Sequence, residues 1–287
     1  MKKKLKNRKQ LSVMRTVHFT DKALLQPTNP IGVNLIGAGG TGSQMLTALA
    51  RINHALTALG HPGLSLRVFD DDPVERPNLA RQLFTTAELG QYKAEALIDR
   101  VNRFFGTNWK AVTERFDKVL YLRNNELTAA EITICCVDTV AARFGIAEVL
   151  KTTESHYPNR RGRPLYCMDF GNSRDTGQVI LSTIGTIQQP DSKKFHTVPS
   201  LPMVTDEFGD TMLASETTDD TPSCSLAQAL RKQDLFINTA LAGMGSSLLW
   251  NFFSEGMLMN RGFFMNLHDF RTQPLTVASA LHYQKAA

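Results

Sequence analysis

Val33-Asn34-Leu35-Ile36-Gly37-Ala38-Gly39-Gly40-Thr41-Gly42-Ser43 passes from an apolar run into a glycine turn and on into a helical pattern. Gly37, Gly39 and Gly42 stand in G-x-G-x-x-G spacing, in which bare backbone makes a tight turn, approaches a phosphate closely and packs helix on strand. The amides opening the following helix carry partial positive charge and would face an anion. Glycine turns also serve plain strand-to-helix packing, so the residues that follow decide the class.

Ser43 to Leu59 places Met45, Leu46, Leu49, Ala50 and Ile52 on a helical period and stops at Gly60-His61-Pro62-Gly63. Leu64 to Phe69 reads as a second parallel strand ending in Asp70-Asp71-Asp72, where a nucleotide-binding fold keeps its ribose-binding acid. Beyond the acids come Asn78, Arg81 and, after Gly90-Gln91-Tyr92, Lys93, which opens a helix running to about Phe105. Hydride transfer has no use for that series, which disfavours a nicotinamide-dependent oxidoreductase. A triphosphate does use it: Arg81, Lys93 and the Asn78 amide would neutralise and hold phosphate charge.

Glu131 to Val137 reads as another strand with Asp138 at its end. Open parallel sheets bind ligands at the carboxyl ends of their strands, so Asp138 and Asp70 should look into one crevice. Asp138 is then a magnesium ligand or, on the plainer reading, a helix N-cap. Leu165 to Phe170 and Gly177 to Ile184 read as a hairpin, and Gln188 to Pro222 as a loop without periodicity. Ser225 and Gln228 fit a capping box opening a long apolar helix to about Glu255, and Phe263 to Leu267 and Pro274 to Val277 read as strands closing the sheet. The fold class is therefore α/β, with a Rossmann-like, mostly parallel sheet, a glycine-rich loop, additional strands and a long helix in the C-terminal half.

The 287 residues read as a basic tail over residues 1–16 and a single domain over 17–287. Within that domain a nucleotide-binding core covers 31–185, a crossover loop 186–224, and C-terminal helix and strands 225–287. The net charge of +5 owes much to six Lys and Arg residues in the first nine positions. The remainder is nearly neutral, so the chain lacks the distributed basic footprint of a nucleic-acid binder. The tail breaks off before an apolar stretch of signal-peptide length, and the Leu235 to Phe253 segment is interrupted by polar residues, which points to a cytoplasmic protein without a membrane span. Cys135, Cys136, Cys167 and Cys224 form no C-x-x-C pair, so no zinc is expected.

These residues resemble the ThiF/MoeB/HesA family, bacterial relatives of ubiquitin-activating enzymes. Gly37 to Ser43 is similar to its glycine loop. Asp70, Asp72, Val74, Asn78, Arg81 and Gln82 reproduce its D-x-D-x-V-x-x-x-N-x-x-R-Q pattern. Gly90-Gln91-Tyr92-Lys93 resembles its G-x-x-K, and Cys136-Val137-Asp138-Thr139 with Arg143 its strand-end aspartate segment. Gly60-His61-Pro62-Gly63-Leu64, Asn102 to Gly106 and Pro222 to Leu226 are similar to the ThiF-like proteins of PRTRC systems, carried on plasmids and other mobile elements.

The resemblance implies ATP-dependent adenylation of the C-terminal glycine carboxylate of a ubiquitin-like or sulfur-carrier protein, by a homodimer. It implies ATP contacts from Gly37, Gly39, Gly40, Gly42, Asp70, Asp72, Asn78, Arg81 and Lys93, with Mg2+ on Asp138. Family zinc pairs are absent, leaving the second half to be held by packing alone, and of the arginine donated across the family's dimer only Arg8 and Arg15 are loose candidates. Some relatives continue to a thioester. Cys224, beside the expected helix N-terminus that would lower its pKa, is the candidate nucleophile, or else a small hydrophobe filling space by the cap. The competing reading is a nucleotide-binding assembly or sensor module that does no chemistry.

Overall fold

The computed structural model describes residues 14–79, 81–156, 162–215 and 233–277. Strand β1 (Arg15–Phe19) begins inside the stretch expected to be tail and leads through a one-turn helix, α1 (Lys22–Leu25), to β2 (Ile31–Ile36). The glycine turn follows, then α2 (Gly40–Ala58), β3 (Leu64–Phe69), α3 (Lys93–Phe105) and a short β4 (Lys110–Val112). Two small helices, α4 (Lys118–Arg123) and α5 (Asn125–Thr128), precede β5 (Ile132–Cys135) and α6 (Val140–His156). The hairpin of β6 (Tyr166–Asn172) and β7 (Thr176–Thr183) comes next, followed by β8 (Phe195–Thr197), α7 (Val204–Glu207) and α8 (Gly209–Ser215). Last are α9 (Ile237–Ser254), β9 (Met257–Leu258), β10 (Asn260–Asn266) and β11 (Arg271–Thr276).

Eight strands share one sheet in the order β11-β10-β7-β6-β5-β2-β3-β4. From β6 to β4 every pairing is parallel, and from β6 outward to β11 every pairing is antiparallel. The strands of the parallel half read as near-continuous apolar runs because helices cover both faces. On one face, α2 inserts Met45, Leu46, Leu49 and Ala50 into a core shared with Ile98 of α3 and Leu241, Leu249 and Phe252 of α9. On the other, Leu120 and Tyr121 of α4 and Ile146, Ala147, Val149 and Leu150 of α6 pack on Ile36, Phe69 and Cys135.

A second, three-stranded sheet orders β8-β1-β9. It is fastened to the main sheet by His18, which is fully buried. A carbonyl can only accept, so Nδ1 of His18 carries the proton it donates to Val198 at 2.7 Å. Nε2 is then free to accept from the Tyr166 hydroxyl at 2.9 Å, and the Tyr166 oxygen takes the Asp21 amide at 3.0 Å.

Three expectations are corrected. The segment over 186–224 is not featureless, since β8, α7 and α8 fall within it. Helix α9 is not continuous from Ser225: residues 233–236 are non-helical, because Asp234 accepts the Phe236 amide on its own side chain at 2.8 Å and its backbone is tied to Arg174. Ser225, Gln228 and Cys224 lie outside the described residues, as does Arg8. Nor does apolar packing alone hold the second half. Arg261 of β10, fully buried, is ion-paired to Glu207 of α7.

Candidate functional site

The strand order reverses across β2, between β5 and β3, and the glycine turn lies at this switch point. Gly37 has φ +90, a conformation that L side chains rarely adopt, and a Cβ on Gly42 would sit 1.8 Å from the Gly37 carbonyl oxygen. Gly39 is different. Among the described residues nothing lies nearer to its missing Cβ than Gln82 Nε2 at 3.8 Å, which leaves the space above it open on their side. Gly39 is also the N-cap of α2, which leaves the helix's first amides facing that space.

Asp70 sits at the end of β3 and braces the turn. One carboxylate oxygen takes the Ala38 amide at 2.6 Å, the other the Asp72 amide at 3.0 Å. Burial raises the Asp70 carboxyl above the ordinary aspartate range, opposed by Lys93 and the two amides. Lys93, 8% exposed at the start of α3, is paired to Asp72 at 2.7 Å and also donates its backbone amide to the Asp72 carbonyl. Asn78 caps its own 3-10 turn, accepting the Glu75 amide at 2.7 Å. Asp71, for which the sequence suggests no role, faces Arg115 at 3.7 Å across an exposed surface.

Arg81 is drawn into the crevice by the segment after β3, whose Leu83 amide donates to Ser43 Oγ of α2 at 3.3 Å. Its Nη1 donates to Gln233 at 2.6 Å, while Nε is buried without a partner among the described residues. Desolvation lowers the Arg81 pKa, and the charge of nearby Asp138 opposes that fall. Asp138 itself is exposed at the end of β5. Arg81, Asp138, Asp70 and Lys93 thus converge on the open side of the glycine turn.

The loop bearing Asp138 is held by a buried pair, Arg143 and Asp169, of which only Arg143 stands out in the sequence. Arg143 Nε reaches both oxygens of Asp169 at 3.2 and 3.1 Å, and Nη2 donates to the carbonyls of Val137 at 2.7 Å and Phe170 at 2.9 Å. Asp169 gave no signal because an acid inside an apolar strand is legible only once its partner from α6 is known. Burial also pushes the thiols of Cys135, Cys136 and Cys167 above the ordinary range, which leaves them protonated and poorly nucleophilic. Arg15 is in the small sheet, with Nη1 3.9 Å from Met259 Sδ.

The described residues fit a nucleoside triphosphate: an open cradle at Gly39, helix amides behind it and a desolvated guanidinium nitrogen that has no partner among them. Among the described residues no group of three or more His, Cys, Asp or Glu could hold a metal ion. Among those residues, too, no helix is long and apolar enough to cross a membrane.

The fold is shared with solved structures of low sequence identity. The crystal structure of PaaA matches with a TM-score of 0.57 and 16% identity over 89% of this chain and 74% of PaaA. E. coli MccB with ATP matches with a TM-score of 0.53 and 13% identity over 89% of this chain and 65% of MccB. E. coli MccB with MccA-N7isoASN gives 0.54 and 14%, over 90% of this chain and 66% of MccB. The chain thus spans slightly less than two thirds of the MccB length. No curated protein matches it. The ThiF family model covers residues 14–246, and the chain belongs to the ThiF family.

Proposed function

We propose that this chain binds ATP over the glycine turn and adenylates the carboxylate of a small peptide or protein. A substrate carboxylate oxygen bonds to the α-phosphorus, and the bond to the pyrophosphate leaving group breaks. The observation that carries the reading is Arg81, desolvated and with Nε unpartnered among the described residues, held beside the open cradle of Gly39 and facing Asp138. A buried cationic nitrogen left without an acceptor is costly unless an anion takes the place.

The α2 amides, Arg81 and Lys93 would bind the phosphates, with Gly37, Gly39, Gly40 and Gly42 admitting them. Asp70 and Asp72 would line the ribose side, and Asn78 the phosphate side. Asp138 would hold Mg2+, a cation that takes one or two protein carboxylates together with phosphate oxygens and shields their charge. No side chain has to act as a nucleophile in this step, so fixed charge and orientation supply the catalysis.

The finer reading is that the substrate is a ubiquitin-like or sulfur-carrier protein ending in glycine, as in the ThiF-like proteins of PRTRC systems. It is supported by a row of directly opposed residues on one face of the sheet: Gly171, Gln178, Phe264 and Gln273. Gly171 lies beside Arg143, with its missing Cβ 3.4 Å from Nη2, and the row leads outward into an open groove of about 890 Å³. An extended tail laid along it would reach the Asp138 loop, with its folded body over Phe264. A homodimer and onward transfer to Cys224 as a thioester belong to the same proposal.

The test is ATP–pyrophosphate exchange with the small diglycine-ended proteins encoded beside this gene. Exchange that depends on one of them and is lost in Arg81→Ala and Asp138→Ala is the expected result. ATP binding with no exchange for any neighbour would instead make the chain a nucleotide-binding module without chemistry.

A further inference from the structure

We propose that Gln233 and Asn238 are positioning residues for Arg81, the last links of a side-chain relay that starts at the first turn of α2. The inference rests on the reading of Arg81 as a phosphate contact and deepens it. The Thr41 hydroxyl donates to Asn238 Oδ1 at 2.9 Å, and Asn238 Nδ2 donates to Gln233 Oε1 at 3.1 Å. The same Gln233 oxygen accepts from Arg81 Nη1 at 2.6 Å. Both lone pairs of that oxygen are therefore filled, and neither amide can flip without losing a bond.

The relay is boxed in. Asn238 is buried at the start of α9 and packs so tightly on the glycine turn that a Cβ on Gly40 would lie 2.5 Å from its Nδ2. It joins α2, α9 and the segment after β3, the elements that must converge on a phosphate. An arginine side chain is long and rotamer-rich, and ordering it on binding costs affinity; the relay orders it beforehand.

The chemistry of the last link matters as well. A carboxylate at position 233 would orient Arg81 equally well but cancel its charge. A neutral amide holds Nη1 and leaves the guanidinium positive, with Nε, unpartnered among the described residues, available to an anion.

The test compares binding of ATP and of adenosine to the full chain by titration calorimetry, so that the readout is the affinity gained from phosphates alone. Arg81→Ala should remove most of that gain. Gln233→Ala should lower ATP affinity roughly three- to tenfold, about the worth of one ordinary hydrogen bond, and leave adenosine unchanged. Thr41→Val, two links further away, should do less. Gln233→Glu should lose the phosphate gain while keeping the melting temperature.

In the Arg81→Ala background, Gln233→Ala should add nothing, because its effect passes through the guanidinium. Additive effects, or a wild-type ATP-to-adenosine ratio in Gln233→Ala, would overturn the relay and leave the Arg81 reading standing. An Arg81→Ala variant that binds ATP as the wild type does would overturn that reading and the relay with it. Asn238→Ala serves as a further link only if its melting temperature is retained; Gln233→Ala, at a half-buried loop position, carries the test by itself.

Discussion

In the parallel half of the sheet, β2 to β6, helices cover both faces and polar side chains at the strand ends are committed to partners: Asp70 to two amides, Lys93 to Asp72, Arg143 to Asp169. In the antiparallel half, β7, β10 and β11, α9 covers one face, while the other keeps Phe264 at 39% exposed and, beside it on β11, Arg271 and Gln273 in solvent. Phe264 meets Phe208, the residue that ends α7, in a T-shaped contact at 5.8 Å. The two halves thus divide the proposed work. A small, charged, transferable ligand needs groups fixed in advance, and a folded partner needs an open surface with few commitments of its own.

The largest effect should come from the turn itself. Gly42→Ala places a methyl 1.8 Å from the Gly37 carbonyl oxygen, which no local adjustment relieves, so a destabilisation of about 4 kcal/mol or loss of folding is expected. Gly39→Ala meets no described atom nearer than 3.8 Å and should shift the urea midpoint far less than Gly42→Ala, while ATP binding falls by an order of magnitude or more. If both variants were equally unstable, the cradle at Gly39 would be ordinary packing.

Next comes the pin beneath Asp138. Arg143→Met strands the Asp169 carboxylate and the Val137 and Phe170 carbonyls and should cost about 3–5 kcal/mol by chemical denaturation. Adding Asp169→Leu should recover a good part of the loss without restoring exchange activity, because the Val137 carbonyl would still lack its donor. Recovered activity in the double variant would show that the Asp138 loop holds its shape without Arg143.

A smaller, pH-dependent effect should arise at the joint between the two sheets. Burial lowers the His18 pKa below its ordinary 6.5, since Nε2 already accepts from Tyr166 and a second ring proton would face a donor. The folded state thus binds this proton more weakly than the unfolded state. Stability from this group is complete above the unfolded value and declines as pH falls below about 6.5 and on through the lower folded value. Denaturation midpoints at pH 7.5 and 5.0 should differ less in His18→Gln than in the wild type. An equal difference would place the acid sensitivity elsewhere.

The legible and illegible parts of the sequence follow the same division. Gly37 to Ser43, Asp70, Arg81, Lys93 and Asp138 are visible because the proposed phosphate site draws on special residue types concentrated near strand ends and helix starts, at short spacings. The helix from Lys93 to Phe105 shows in its apolar period, ended by Gly106 in a left-handed turn. Asp169, His18, Arg261, Gln233 and Asn238 are polar residues whose partners, apart from the Asn238–Gln233 bond, lie 26 to 197 positions away, and nothing local marks them. Strand β4 has three residues, too few to show alternation, and the break before α9 depends on a side-chain turn at Asp234 inside an otherwise apolar pattern.

The weakest effect on stability should come from the open face, and that is its value as a test. Phe264 and Gln178 are neighbours across β10 and β7, the first largely exposed and the second half-buried, so removing either side chain should shift the unfolding free energy by no more than about 0.5–1 kcal/mol. If a folded partner docks there, Phe264→Ala should nonetheless raise the partner's KM in pyrophosphate exchange several-fold with kcat nearly intact, since the lost contact is made equally in the ground and transition states. Arg81→Ala should do the opposite, lowering kcat because phosphate charge redistributes during transfer. A Phe264→Ala variant with unchanged partner KM would separate the open face from the reaction and leave the charged half of the sheet to recognise its substrate alone.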